Sequence, residues 1–190
     1  MKNAINIISD KQPETVNVSG CLYAVNTDFK DWINFFILHE DSSISNDQKI
    51  LKSLNLYKDD IPSDVLSAYK ALQGFASCKG LHRNIENNKN TETSKVPVFS
   101  YLYDGAYICS DFLRYYGINL QTAKMHWYTF IALFDGLPQD AETKKRIAYR
   151  SIKPYEIKSD ERRLQIIRIQ ESIRIPHENV EVAEIGKALW

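Results

Sequence analysis

Apolar positions alternate near the start of the chain, and from residue 28 onward they recur at intervals of three and four. Ile5 to Ile8 and Val16 to Val25 are β-branched and partly alternating, with Ser19-Gly20 as a turn, which predicts short strands. The period changes in VNTDFKDWINFFILHED. Here Asp28 stands at an N-cap position, and Asp31 three residues on suits the positive end of a helix dipole. Phe29, Ile33, Phe36 and Ile37 form a stripe, with Trp32 and Phe35 beside it. Ser45 caps a second predicted helix over about 46–57, with Ile50, Leu51, Leu54 and Tyr57 on one side. Pro62-Ser63 starts a third, in which Val65, Ala68, Tyr69, Leu72 and Phe75 repeat at three and four. Gly74 interrupts that helix at a cost of about 1 kcal/mol against alanine.

Residues 79–97 break the pattern. Asparagines, scattered charges and few apolar side chains cannot bury enough surface to offset the entropy of ordering, so the stretch reads as a flexible linker. After it, Asp104 is expected to cap a helix running to about Tyr116, with Tyr107, Ile108, Phe112 and Tyr115 inward and Gly117 as its stop. The stretch YYGINLQTAKMHWYTFIALFDGLP, residues 115–138, is the densest aromatic cluster and predicts a helix from about Gln121 to Phe134, ended by Gly136 and Pro138. Asp140, with Thr143 close behind, opens another through Tyr149, and Pro154 stops it. Ser159 opens the last, DERRLQIIRIQESIR, whose β-branched centre leaves a strand open as the alternative. The expected fold class is mainly α, a multi-helix bundle of six or seven helices with a small N-terminal β element. Its expected division is 1–78 as β element plus helices, 79–97 as linker, 98–175 as a helical region and 176–190 as a tail, all in one compact domain.

Composition narrows the function classes. Twenty-four basic and twenty-four acidic residues cancel, and the isoelectric point falls near 6.9, a poor basis for bulk polyanion binding. Seven glycines are few for sheet-rich folds or phosphate-cradling loops. Cys21, Cys78 and Cys109 are odd in number and far apart, so no disulfide framework follows. With neither an apolar leader nor a membrane-length apolar run, a soluble protein of a reducing cytoplasm is expected.

Candidate chemistry is sparse. His126 precedes Trp127; on a helix its neighbours at four residues are Thr122 and Phe130, neither a base nor a metal ligand, so it reads as a packing residue. Cys78 and His82 are four apart, but nothing nearby completes a four-ligand zinc site. Asp59-Asp60 and Glu40-Asp41 lie beside helix ends, where acids complement the dipole and solvate the surface. No nucleophile-elbow, phosphate-loop or dinucleotide-binding pattern is present. The expectation is therefore no enzyme, with no catalytic residue, no metal and no cofactor. Lys144 to Arg163 carries eight basic residues against three acidic ones, a run read as the solvated face of amphipathic helices in preference to a phosphate-tracking surface.

Order and spacing in the second half carry a resemblance. DGAYICSDFLRYYGINL, then MHWYTFIALFDGLP, then KKRIAYR resembles the signature half of the bacteriophage gp-fifteen family, encoded in the tail region of siphophage genomes. Asp104, Tyr107, Phe112, Tyr116, Gly117, Leu120, His126, Trp127, Phe130, Leu133, Gly136, Leu137 and Arg150 stand at its pattern positions. VNTDFKDW is similar to the family's start of the first helix, placing Asn26, Thr27, Asp28 and Phe29. Asn119 and Tyr128 depart from the aspartate and tryptophan common there. The resemblance implies a tail assembly chaperone-like factor that binds the tape-measure protein and keeps it soluble, self-associates and meets another tail chaperone. Under it Asp28, Asp104, Tyr107, Tyr116, Gly117, His126, Trp127, Phe130, Leu133 and Arg150 are signature packing residues. Trp32, Phe36, Trp127, Tyr128 and Trp190 are the candidate partner contacts, because interface anchors tend to be aromatic; core packing of all but Trp190 is the alternative. The rival functions are a tail terminator or connector kept in the virion, and a nucleic-acid-binding accessory.

Overall fold

A computed structural model describes residues 5–78, 80–81 and 97–176. Among them are seven α-helices, a β-hairpin and two 3-10 turns, in agreement with the mainly α class. The chain forms two compact units, and neither is continuous. One holds residues 1–89 and 118–136; the other holds 90–117 and 137–190. The aromatic stretch thus falls with the N-terminal helices, where α5 meets α1, and not with its sequence neighbours. The expected linker, apart from residues 80, 81 and 97, lies outside the described residues, as does the tail beyond 176.

In the first unit β1 (Thr15–Val18) and β2 (Cys21–Ala24) pair antiparallel, Val18 opposite Cys21. Ser19 and Gly20 between them take φ of 52° and 92°, the positive values a two-residue hairpin turn needs. Val16 and Val18 are buried while Thr15 and Asn17 are exposed, so the alternation is real and its apolar side rests on α3. Ile5 to Ile8, expected as strand, is a turn instead. Asn6 and Asp10 close it, with the Asn6 carboxamide oxygen accepting from the Ile8 N–H at 3.1 Å and the Asp10 carboxylate from the Asn6 N–H at 2.9 Å.

Helix α1 (Phe29–Glu40) is capped by the Asp28 carboxylate, which accepts from the Lys30 N–H at 2.9 Å. It buries Phe29, Trp32 and Phe35, a line centred one residue away from the predicted stripe. Helix α2 (Asn46–Ser53) starts at Ser45 as expected but gives way to a 3-10 turn at Leu54–Leu56. Its inward face is Lys49 and Ser53, and Leu51 is exposed. Lysine fits there because its ammonium donates to the His39 carbonyl at the end of α1, 2.9 Å away, meeting the negative pole of that helix. Helix α3 (Val65–Ala76) is capped by Asp64 and buries Ala68, Leu72 and Phe75. Helix α5 (Trp127–Asp135) closes the unit and starts six residues later than predicted. Ahead of it Asn119 holds a turn through the Gln121, Thr122 and Ala123 N–H groups, and residues 124–126 run extended.

In the second unit α4 (Tyr101–Tyr116) is capped by Ser100, whose hydroxyl accepts from the Leu102 and Tyr103 N–H groups, not by Asp104. Gly117 ends it at φ 68°, a left-handed stop that glycine takes without strain. Helix α6 (Glu142–Ser151) lacks a cap from Asp140 or any local side chain. A 3-10 turn at Pro154–Glu156 leads to α7 (Asp160–Ser172), capped by Ser159; the LQIIRI stretch is helix.

Candidate functional site

The first unit is organised around paired helix starts. Residues 27–29 and 125–127 run antiparallel, the Phe29 N–H donating to the Met125 carbonyl at 3.0 Å and the Trp127 N–H to the Thr27 carbonyl at 2.7 Å. The two N-caps, Asp28 and His126, therefore lie opposite each other. His126 Nδ1 accepts from the Tyr128 N–H at 3.1 Å, so the ring proton sits on Nε2 and is donated to the Pro13 carbonyl at 2.9 Å. Both nitrogens are used. Burial holds the imidazole below its ordinary pKa, and the cap has the same effect, since a protonated Nδ1 could not accept. His126 thus fastens the segment before β1 to the start of α5.

Behind those caps six rings stack. Phe75 lies 4.6 Å from Trp32, Trp32 6.4 Å from Trp127, and Trp127 5.6 Å from Phe130, all within 28° of parallel. Phe130 continues to Phe29 at 5.0 Å and to Phe134 at 6.2 Å. Each such ring removes roughly 150–250 Å² from water, about 4–6 kcal/mol of gross transfer free energy. Indole N–H groups need partners when buried: Trp32 donates to the Asn26 carbonyl at 2.8 Å and Trp127 to the Ala76 carbonyl at 2.9 Å.

A different constellation holds the second unit. Arg150, on the last turn of α6, makes two bonds to the Asp104 carboxylate at 2.7 and 2.9 Å. The same guanidinium donates to the Ile173 carbonyl at 2.7 Å and the Val98 carbonyl at 3.2 Å, so one residue ties three chain segments. Asp104 also accepts from the Ser100 N–H at 3.1 Å. About two turns further along the same face of α4, Asp111 accepts from the Thr143 N–H at 2.8 Å and the Glu142 N–H at 3.2 Å. Asp111 is the missing cap of α6, supplied from another helix. Arg146 lies over the Tyr107 ring, 3.6 Å from its centroid.

Among the candidate partner contacts, Trp32 and Trp127 have no exposed surface and Tyr128 is 2 % exposed. These three are corrected to core residues, since a side chain without exposed surface cannot anchor a partner to the folded unit. Phe36 is half-buried, 5.8 Å from Trp127, and Trp190 lies outside the described residues. Of the signature positions, Phe130 belongs to the ring stack, Leu133 is half-buried and Tyr116 packs on Phe112 at 5.5 Å. Sequence reasoning missed Asp111, Lys49 and the Asp104–Arg150 pair. A signal for the first was present: Asp104 and Asp111 are seven apart on the face of Ile108 and Phe112, and an acid in an apolar stripe needs a partner.

No three His, Cys, Asp or Glu side chains among the described residues gather as a metal site, and no described helix is long and apolar enough to cross a membrane. Cys78 is buried; His82 is not among the described residues. A family model described as Bacteriophage Gp15 protein matches residues 8–175. The chain belongs to that family. The match to the Bacteriophage Gp15 protein family spans the described residues of both units save a few at each end, so the ring stack and the Asp104–Arg150 pair both fall inside it. Neither a curated protein nor a solved structure matches.

Proposed function

We propose that this phage protein acts without catalysis in tail morphogenesis, as a tail assembly chaperone-like factor that binds the tape-measure protein and keeps it soluble. The observation that carries the reading is membership of the Bacteriophage Gp15 protein family over residues 8–175. Support comes from the surface. Leu51 and Leu66 on α2 and α3 of the first unit, and Leu102, Leu113 and Leu164 on α4 and α7 of the second, are each more than half exposed. Large aliphatic side chains on helical faces suit transient contact with the apolar stripe of a long amphipathic helix. Self-association and contact with another tail chaperone belong to the same proposal, as does action in the host cytoplasm.

Co-expression with the long helical tape-measure protein, followed by a solubility assay and tagged pull-down, tests it. Soluble client that co-purifies in multiple-copy complexes is the expected result; an aggregated client and an empty pull-down overturn it. A terminator or connector would instead be found by mass spectrometry in purified particles.

A further inference from the structure

We infer that a small pocket beside α1 receives the guanidinium of an arginine side chain presented by a partner protein. The pocket lies within the first unit, between α1 and the 3-10 turn at Leu54–Leu56, with a volume of about 190 Å³. Small-molecule sites begin near 300 Å³, so this space fits one side chain better than a metabolite. Asp31 stands in its wall, half-buried, and its carboxylate has neither a hydrogen-bond donor nor a cationic partner among the described residues. Burial, with the Asp28 charge added, pushes its carboxyl above the ordinary aspartate value despite its place in the first turn of α1. The Asn26 and Asn34 carboxamides also line the pocket and are likewise without side-chain partners, which offers neutral acceptors beside the carboxylate. Phe35 and Leu38 supply an apolar floor for the methylene stem of the guest. A planar guanidinium with five donors matches a carboxylate flanked by amide oxygens; a lysine ammonium, with three, matches it less well.

The competing occupant is the protein's own Lys52, which lies at the pocket wall. No ion pair joins Lys52 to Asp31 among the described residues.

This inference rests on the partner-binding reading above, but its test does not need the client. The full chain is titrated with Nα-acetyl-arginine methylamide and observed by two-dimensional amide NMR, with the uncharged citrulline analogue as control. Saturable shifts at Asn26, Asp31 and Asn34 in the millimolar range are expected. Asp31→Asn, and separately the citrulline probe, should weaken binding about tenfold or more. Equal binding of citrulline, binding unaffected by Asp31→Asn, or binding seen only in Lys52→Met overturns the inference. Client pull-down with Asp31→Asn separates the two readings. A client held equally well by both proteins sinks the pocket's role and leaves the chaperone standing; a client held by neither, with the probe still bound, does the reverse.

Discussion

The two units solve the same problem by opposite means. The first is closed by rings: Phe75, Trp32, Trp127 and Phe130 stack in sequence, with the two indole N–H groups donating to backbone carbonyls. The second is closed by charge: the Asp104 side chain is 1 % exposed, that of Arg150 7 %, and Asp111 is buried where it caps a helix it does not belong to. Burial of apolar surface is non-directional, and its loss degrades stability by degrees. A buried ion pair is closer to all or none, because removing one partner leaves the other charged and without water.

That contrast is tested most sharply by near-isosteric changes. Asp104→Asn keeps the shape but leaves the Arg150 guanidinium facing a neutral amide, and should cost about 3–5 kcal/mol in denaturant unfolding. Pairing Asp104→Leu with Arg150→Met should recover most of the loss, to within about 2 kcal/mol of the parent. If the double variant is as unstable as the single one, the charge account of this unit is wrong and the bonds to Val98 and Ile173 dominate. Asp111→Ala comes next, at about 2 kcal/mol, since it strips two backbone N–H groups of their acceptor. Trp127→Phe, the corresponding mild change in the ring stack, should cost about 1–2 kcal/mol through the lost bond to Ala76 and a partly refilled void.

His126 gives a smaller, pH-dependent effect. Its folded pKa lies below 6.5, so below about pH 6.5 the unfolded chain takes up a proton that the folded one resists. The His126 contribution is complete above that pH and is lost as pH falls toward the folded value. His126→Asn keeps an acceptor for the Tyr128 N–H and should flatten this part of the acid limb in thermal melts between pH 7 and 5. An unchanged slope would mean that the ring is not held neutral by its cap. The smallest effect belongs to the surface: Leu66→Ser should move stability by no more than about 0.5 kcal/mol while reducing recovery of soluble client.

Local order was legible in the sequence. The caps at Asp28, Ser45 and Ser159 and the glycine stop at Gly117 are short-range devices, complete within a few residues, and the aromatic density around Trp127 marks a core whatever its partners. Phase and partnership were less so. The inward face of α1 is set by which side meets α5, and α5 starts late because residues 124–126 are held extended beside Thr27, a contact no local propensity encodes. Asp111 capping α6 across thirty-two positions, and Arg150 reaching Asp104 across forty-six, depend on how the chain returns on itself. By itself, then, the sequence determined helices, their ends and the residues too apolar to stay in water. Tertiary structure decided which helix each stripe faces, how the chain divides into units, and where each buried charge finds its partner. Capping and periodicity act within a turn or two of helix, whereas the partner of a buried group is chosen by proximity after folding.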